Sequence, residues 1–184
     1  MKQSGSLGLE SGTVVVVDYD PRWPDEFTRV ARELYAAVGP AVVGVHHVGS
    51  TAVPGLCAKP VLDVLVSVPD LNASLKLVPT LEELGYEFRP DEEIPDRHYF
   101  RRRRGPIRTH HLSLAEPTSR YYAVTLGFRD ALRSDPKIAA AYCGLKRDLA
   151  KRFPRDRTAY INGKTAFIAT VLAQVLPRDH RSAS

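Results

Sequence analysis

Two apolar runs separated by a Gly-Ser turn constrain the fold of this chain more than any other feature. The first run spans residues 41–48 and leads directly into Gly49-Ser50, and the second spans 61–68 and ends at Pro69. Short apolar runs bounded by turn residues are typical of strands in the core of a sheet. We therefore predict a hairpin-like pair of core strands joined by a long loop.

A single charged residue, Asp63, lies inside the second apolar run. A buried carboxylate must be paired, hydrogen-bonded or bound to a metal ion. Because side chains alternate between the two faces of a strand, Val61, Asp63 and Leu65 share one face, and Asp63 can meet the Gly-Ser turn at the ends of the two strands. The hypothesis is a ligand or metal site at Asp63, and a purely structural ion pair is the alternative.

The turn itself has the chemistry of a phosphate-binding segment. Gly49 lets the backbone approach a ligand closely, and the hydroxyl groups of Ser50 and Thr51 can hold phosphate oxygens together with free backbone N–H groups. The alternative is an ordinary tight turn in which Ser50 caps a short helix.

The rest of the chain divides into strands in the first two thirds and helices in the last third. A β-branched run at 14–17 predicts a strand, and apolar spacing predicts a helix over 23–38. A second helix is predicted over 72–84, with a kink or restart at Pro79. Further strands are predicted at 86–89, 99–103 and 109–115, and further helices at 121–132, 136–153 and 158–176.

This order of elements predicts an α/β or α+β fold: a mixed sheet of five or six strands with flanking helices and a helical C-terminal region. The 184 residues suffice for one core. We expect a single domain over residues 13–176, with loose tails at 1–12 and 177–184.

The composition limits where the chain works and what it binds. No apolar run approaches the roughly 20 residues of a membrane span, and the N-terminus lacks an apolar signal core, so we expect a cytoplasmic protein without a membrane partner. Cys57 and Cys143 lie far apart without a Cys-x-x-Cys pair, so we expect both to be reduced, with no zinc site or disulfide. The net charge of +5 favours anionic partners.

Several motifs resemble the GrpB family. The resemblance runs from about Val14 to Val175 and is specific, because a GSTAVPGL element and an AKPxxD element occur in order at close spacing. The matching segments are 19–23, 47–56, 59–63 and 128–130, together with Tyr142, Lys146, Tyr160 and Lys164. The family belongs to the nucleotidyltransferase superfamily, and a related domain is fused behind dephospho-coenzyme A kinase in some bacteria.

The resemblance implies roles for the residues of the turn and the second strand. Gly49 and Ser50 are expected to face nucleotide phosphates, and Asp63 to bind a divalent metal, Mg²⁺ or Mn²⁺. The chain also departs from the superfamily pattern, because Leu65 stands where a second carboxylate is expected and leucine cannot ligate magnesium. Ser113 stands where the family commonly has a second histidine.

Other polar residues can complete the site. His111 shares a strand face with Ser113 and is a candidate catalytic residue beside Asp63, with a structural hydrogen bond as the alternative. Of His46 and His47, at most one can face the site, and we favour His47. The candidate cations for phosphate groups are Lys59, Arg101 and Arg103, and, by the family match, Lys146 and Lys164. The alternative for Lys59 is a solvated surface position, and for the arginines a solvated turn or a nucleic-acid patch. For Lys146 and Lys164 it is surface pairing with acidic neighbours.

The leading expectation is a nucleotidyltransferase that moves a nucleotidyl group from a nucleoside triphosphate to an unidentified small acceptor. A non-catalytic domain that binds a nucleotide or phosphorylated metabolite is the first alternative, and Leu65 favours it. An RNA-binding module built on the run Arg101–Arg104 is the second. That run lacks the interleaved aromatic residues of known RNA-binding modules, which counts against nucleic acid.

Overall fold

The computed structural model describes residues 7–90, 94 and 96–176. The predicted tail at 177–184 and the first six residues of the predicted N-terminal tail lie outside these ranges. The remainder of that N-terminal tail differs from the expectation, because Leu7 and Leu9 are buried and Leu9–Glu10 pairs with a core strand.

A mixed sheet of six strands organises the fold. The strands are β1 (Leu9–Glu10), β2 (Gly44–Val48), β3 (Leu62–Ser67), β4 (Tyr86–Phe88), β5 (His98–Arg104) and β6 (Ile107–Ala115). Their order is β2-β3-β6-β5-β4, and β1 pairs with the start of β6. Among the strand pairs in the part of the chain that the structure describes, only β3–β6 is parallel. The predicted α/β class with a mixed sheet is confirmed, as is the antiparallel pair of core strands around Gly49-Ser50.

The strand register brings the predicted site residues into one row. Asp63 lies opposite Val48 on β2 and opposite His111 on β6, and His111 lies opposite Arg101 on β5. Directly opposite residues share a face of the sheet. Asp63, His111 and Arg101 are therefore on the same face.

The other face of the sheet packs on the first helices and forms the main core. These helices are α1 (Trp23–Val38) and α2 (Val78–Glu83), and a 3₁₀ turn over Ala73–Leu77 precedes α2. Pro79 lies in the first turn of α2, so the predicted restart at this proline is present. From α1, Trp23, Val30 and Leu34 are fully buried against the sheet. Residues of β3 and β6 with the opposite side-chain direction to Asp63 complete this core: Leu62, Val64, Val66, Leu112 and Leu114.

Four helices make up the last third of the chain. They are α3 (Arg120–Ser134), α4 (Pro136–Arg152), α5 (Arg157–Asn162) and α6 (Thr165–Val175). The side chains of Ser119, Asp135 and Asp156 accept hydrogen bonds from backbone N–H groups at the starts of α3, α4 and α5. Part of α3 covers the site face of the sheet through Tyr121, Tyr122 and Leu126, which pack on Leu65.

Two predicted elements are wrong in extent. The run at 14–17 forms no strand: Val17 makes an isolated bridge to Ala58, and Val15 is 47% exposed. The backbone of Val14 instead donates to the carbonyl of Pro154. The helix predicted over 158–176 is divided into α5 and α6 at residues 163–164.

The expectation of two reduced cysteines is also wrong. Cys57, in the loop between β2 and β3, and Cys143, on α4, form a disulfide with their Cα atoms 5.6 Å apart. Their separation of 86 residues hides this contact, because only the folded chain places α4 against that loop.

Among the residues that the structure describes, no helix has the length and apolar character needed to cross a membrane.

Candidate functional site

A cavity of about 430 Å³ opens between the end of the β2–β3 pair and the C-terminal helices. Most of the residues singled out from the sequence line it. These are Gly49, Ser50, Thr51, Lys59, Asp63, His111, Lys146 and Lys164. The far wall is apolar and comes from α3 and α6, including Val124, Phe128, Ile168 and Leu172.

Gly49 is required by its backbone conformation and by its closest neighbour. Its φ is +70°, a region that residues with a Cβ rarely adopt. A Cβ at this position would also collide with the carboxylate of Asp63. Gly49 therefore lies against Asp63, which keeps the turn and the carboxylate side by side. The close approach of Gly49 to a ligand stays a prediction.

Asp63 and His111 form a hydrogen-bonded pair, in which Nδ1 of His111 lies 2.8 Å from Oδ1 of Asp63. Burial raises the pKa of Asp63, but the hydrogen bond from His111 and the nearby Lys59 and Lys164 outweigh it and leave the pKa below its usual value. Burial also lowers the pKa of His111. At neutral pH, Asp63 is therefore ionised, and neutral His111 donates its Nδ1–H to it.

Lys146 is held by the loop that carries the Gly-Ser turn. Only 2% of this residue is exposed. Its Nζ donates to Oγ of Ser50 at 2.8 Å and to the carbonyl oxygen of Cys57, and it lies 4.7 Å from the centre of the Tyr142 ring. Burial, followed by the charges of Lys164 and Lys59, lowers its pKa to about 7.

Lys59 and Lys164 share a second aromatic ring. Their Nζ atoms lie 5.2 and 4.8 Å from the centre of the buried Tyr160 ring. The negative face of the ring favours both cations. Burial, with Lys164 as the next cause, lowers the pKa of Lys59 to about 8, and burial also lowers the pKa of Lys164. Three lysines thus converge on the one carboxylate among the described residues that line the cavity.

Comparison with known proteins gives the family of this chain. The family model described as GrpB protein matches residues 13–174. The chain belongs to the GrpB family. UPF0157 protein PA4798 of Pseudomonas aeruginosa is 40% identical over 169 residues, which cover 89% of this chain and 68% of the relative. A dephospho-CoA kinase of Mycolicibacterium paratuberculosis is 33% identical over 172 residues, but this similarity covers only 42% of the kinase.

Solved structures confirm the fold of this GrpB chain. A GrpB protein from Enterococcus faecalis superposes with a TM-score of 0.81 at 33% identity, over 88% of this chain and 96% of that one. The Cid1 poly(U) polymerase matches with a TM-score of 0.51 at 14% identity, over 73% of this chain and 44% of the polymerase. The second likeness shows the fold alone, which is nucleotidyltransferase-like, as the resemblance to the GrpB family implied.

Leu65 and Ser113 are the two positions at which this GrpB chain departs from the expected pattern. Leu65 is fully buried with Val48 and Ala115 beneath α3, and it does not line the cavity. Ser113 does line the cavity, and its hydroxyl lies 3.0 Å from the hydroxyl of Tyr121. The place of the expected second carboxylate is therefore covered by a helix.

The arginine run divides between the two faces of the sheet. Arg101 lies beside His111 on the site face, although it is not among the lining residues of the cavity. Arg102 points to the other face and pairs with Glu33 of α1 at 2.9 Å. Arg103 lies 3.9 Å from Glu87 on β4. The run therefore forms no single cationic patch.

His47 does not face the cavity, so the preference for it over His46 is wrong. It stacks on Phe27 of α1 with ring centres 4.7 Å apart, and its Nε2 lies 2.9 Å from Oγ1 of Thr51. Burial lowers its pKa to about 4, so it is a neutral residue that supports the turn from the core side.

Arg157 lines the cavity and was not foreseen from the sequence. Its charge contributes to the lowered pKa values of Lys59 and Lys164. The segment around it, RFPRDRTAY, contains three arginines with no pattern that separates one from the others. Its position at the start of α5, three residues before Tyr160, is what brings it to the site.

The side chains near Asp63 do not by themselves provide the ligands that a bound divalent metal ion needs. Within the described part of the chain, no cluster of three or more His, Cys, Asp or Glu side chains is arranged to hold a metal. Oδ1 of Asp63 already accepts from His111, and the other charged groups that line the cavity are the ammonium groups of lysines and the guanidinium groups of arginines. Mg²⁺ prefers oxygen ligands in octahedral geometry, which these residues do not provide. The metal expected at Asp63 stays a prediction.

Proposed function

We propose that this GrpB protein binds a nucleoside triphosphate in the cavity and transfers its nucleotidyl group to a small acceptor. One observation carries the proposal. The Gly49-Ser50 turn, the Asp63–His111 pair and the three lysines converge on one cavity at the ends of β2 and β3, in a nucleotidyltransferase-like fold. The excess of positive charge along the cavity favours a phosphate-bearing ligand.

The two sides of the cavity suit the two parts of a nucleotide. The phosphates would lie on the lysine side, where Lys146 is fixed against Ser50. The nucleoside would lie against the apolar wall, which includes Phe128 of α3 and Ile168 of α6.

The reaction itself requires mainly positioning and charge neutralisation. The acceptor hydroxyl attacks the α-phosphorus, the bond to the bridging oxygen breaks, and pyrophosphate leaves. Asp63 is ionised and faces the cavity, so it can receive the hydroxyl proton, while His111 orients it. The lysines stabilise the negative charge on the leaving pyrophosphate.

The test is a pyrophosphate-release assay with each of the four nucleoside triphosphates and an α-labelled nucleotide to reveal the product. Water serves as an acceptor alongside a panel of small hydroxyl compounds. We expect nucleotide-dependent release in the parent protein and at least about a hundredfold less in Asp63→Asn, the scale of removing one general base. Release unchanged in Asp63→Asn would contradict the assigned role.

A second candidate is stoichiometric binding of a nucleotide or phosphorylated metabolite without turnover. The covered position of Leu65, where a second carboxylate is expected, favours it. Nucleotide binding without release of pyrophosphate from any of the four substrates would select this candidate over the transferase. Binding to RNA with a steep dependence on salt would instead select a nucleic-acid function.

A further inference from the structure

The charge around Asp63 is the reverse of the charge at a divalent-metal site. Such sites gather oxygen ligands, often several carboxylates, around a cation. In this cavity one carboxylate is surrounded by the ammonium groups of Lys59, Lys146 and Lys164, each of which interacts electrostatically with Asp63. A divalent cation at this point would face several like charges and one opposite charge, because Arg97, Arg129 and Arg157 line the same cavity as the three lysines.

The lysines are held in place by groups that leave their positive charge uncompensated. Lys146 donates to a hydroxyl and a carbonyl oxygen, and Lys59 and Lys164 lie over the ring of Tyr160. These partners are neutral. Asp63 is the only carboxylate among the described lining residues, so the three ammonium groups exceed the negative charge they face.

We propose that Lys59, Lys146 and Lys164 take the place of a divalent cation, so that the cavity binds a diphosphate group without metal. The proposal rests on the proposed function in that it concerns the same cavity and the same phosphates. A bound diphosphate favours the protonated form of all three lysines and neutralises the excess of their charge over that of Asp63, whereas a neutral ligand leaves that excess unpaired. Ammonium groups also serve as point-charge partners of phosphate oxygens.

The role of Asp63 differs between this arrangement and a metal site. In a metal site, Asp63 attracts the cation that holds the phosphates, so its removal abolishes phosphate binding. In the lysine arrangement, Asp63 is a like charge next to the phosphates, so its removal strengthens their binding. The two accounts therefore predict opposite signs for one substitution.

The experiment is titration calorimetry of inorganic pyrophosphate, first with EDTA and then with Mg²⁺. The parent protein is expected to bind in EDTA, and Asp63→Asn to bind about tenfold more tightly, the effect of removing about 1.4 kcal/mol of like-charge repulsion. Lys164→Met is expected to weaken binding by about tenfold or more, and Lys164→Arg to retain most of it. Lys151→Met removes an exposed lysine of α4 and should leave the affinity unchanged.

Lys164 is chosen because it is less buried than Lys146, so its replacement is less costly to the fold. Binding that requires Mg²⁺, or that is lost in Asp63→Asn, overturns the proposal, as does the absence of pyrophosphate binding under both conditions. Tight metal-free binding together with no turnover of any nucleotide supports the proposal and refutes the transferase function. The two claims can therefore fail separately.

Discussion

At the scale of single residues, Gly49 and Gly55 provide a matched pair of positions. Both have positive φ, +70° and +77°, but a Cβ at Gly55 would meet nothing within 4 Å, whereas one at Gly49 would collide with Asp63. Gly55→Ala should cost about 1 kcal/mol of stability from backbone strain and leave phosphate binding unchanged. Gly49→Ala should cost more and abolish binding, because it displaces the Gly49-Ser50 turn, whose Ser50 hydroxyl holds Nζ of Lys146.

Urea denaturation and pyrophosphate calorimetry on the two variants measure both effects. Equal binding by the two alanine variants would show that the contact between Gly49 and Asp63 has no part in the ligand site.

The lysines predict opposite pH dependences for stability and for ligand binding. The pKa of Lys146 in the fold is about 7 and that of Lys59 about 8, against an ordinary value of 10.5. From about pH 7 to 10.5 the unfolded chain binds more protons than the folded one, so ligand-free stability should rise with pH. Phosphate ligands bind more tightly when the lysines are protonated. The affinity of the protein for phosphate ligands should therefore fall as the pH rises through about 7 to 8, because the lysines lose their protons.

Denaturation midpoints and calorimetry at about pH 6, 8 and 9 give both slopes. Lys146→Met should reduce each slope, while Lys151→Met should reduce neither. A pyrophosphate affinity that increases with pH over this interval would contradict the assignment of the lysines to the phosphates.

At the scale of elements, the disulfide joins the β2–β3 loop to α4 close to the site. Cys57 supplies the carbonyl oxygen that Lys146 contacts, and Cys143 lies three residues before Lys146 on α4. Replacing both cysteines with serine should lower the free energy of unfolding by about 2–4 kcal/mol, since the bond closes a long loop. It should also weaken pyrophosphate binding. Treatment of the parent with dithiothreitol should reproduce both changes and leave the serine variant unaffected.

The elements that the sequence predicted well are those with a local pattern. Helical spacing from Trp23 to Val38 and the apolar run ending at Gly49 depend only on neighbours in the sequence, and both predictions are confirmed. The run at 14–17 has the composition of a strand, but its backbone partners, Ala58 and Pro154, come from loops. This segment therefore has the composition of a strand but no neighbouring strand to pair with.

Side-chain alternation predicts the site residues of the strand pair, whereas Lys146 and Lys164 were predicted only from the resemblance to the GrpB family and Arg157 was not predicted. Gly49, Ser50 and Asp63 belong to one strand pair, so alternation of side chains was enough to place them together. The neighbours that define their chemistry, Lys146 and Arg157, arrive from α4 and α5 about a hundred residues later. No local pattern could show that Lys146 is buried or that Cys143 meets Cys57.

At the scale of the whole molecule, the cavity lies between the sheet and the C-terminal helices, so a bound phosphate should link the two. Lys59 and Asp63 come from the sheet side, and Lys146 and Lys164 from the helical side. Pyrophosphate should therefore slow amide hydrogen exchange in α4 and α5 and leave α1 nearly unchanged, because α1 packs on the opposite face of the sheet. Mass-spectrometric exchange with and without pyrophosphate measures this pattern. Protection centred on α1 would place the ligand elsewhere.

Because the core and the cavity lie on opposite faces of the sheet, tryptophan fluorescence can report on the core independently of the cavity. The single tryptophan of the chain, Trp23, is fully buried in the α1 core, with the Tyr19 ring 5.3 Å away, and takes no part in the cavity. The wavelength of its fluorescence emission therefore follows the packing of α1 on the sheet. A cavity variant that loses its ligand but keeps this emission has an intact core, so one spectrum separates a damaged site from a damaged fold.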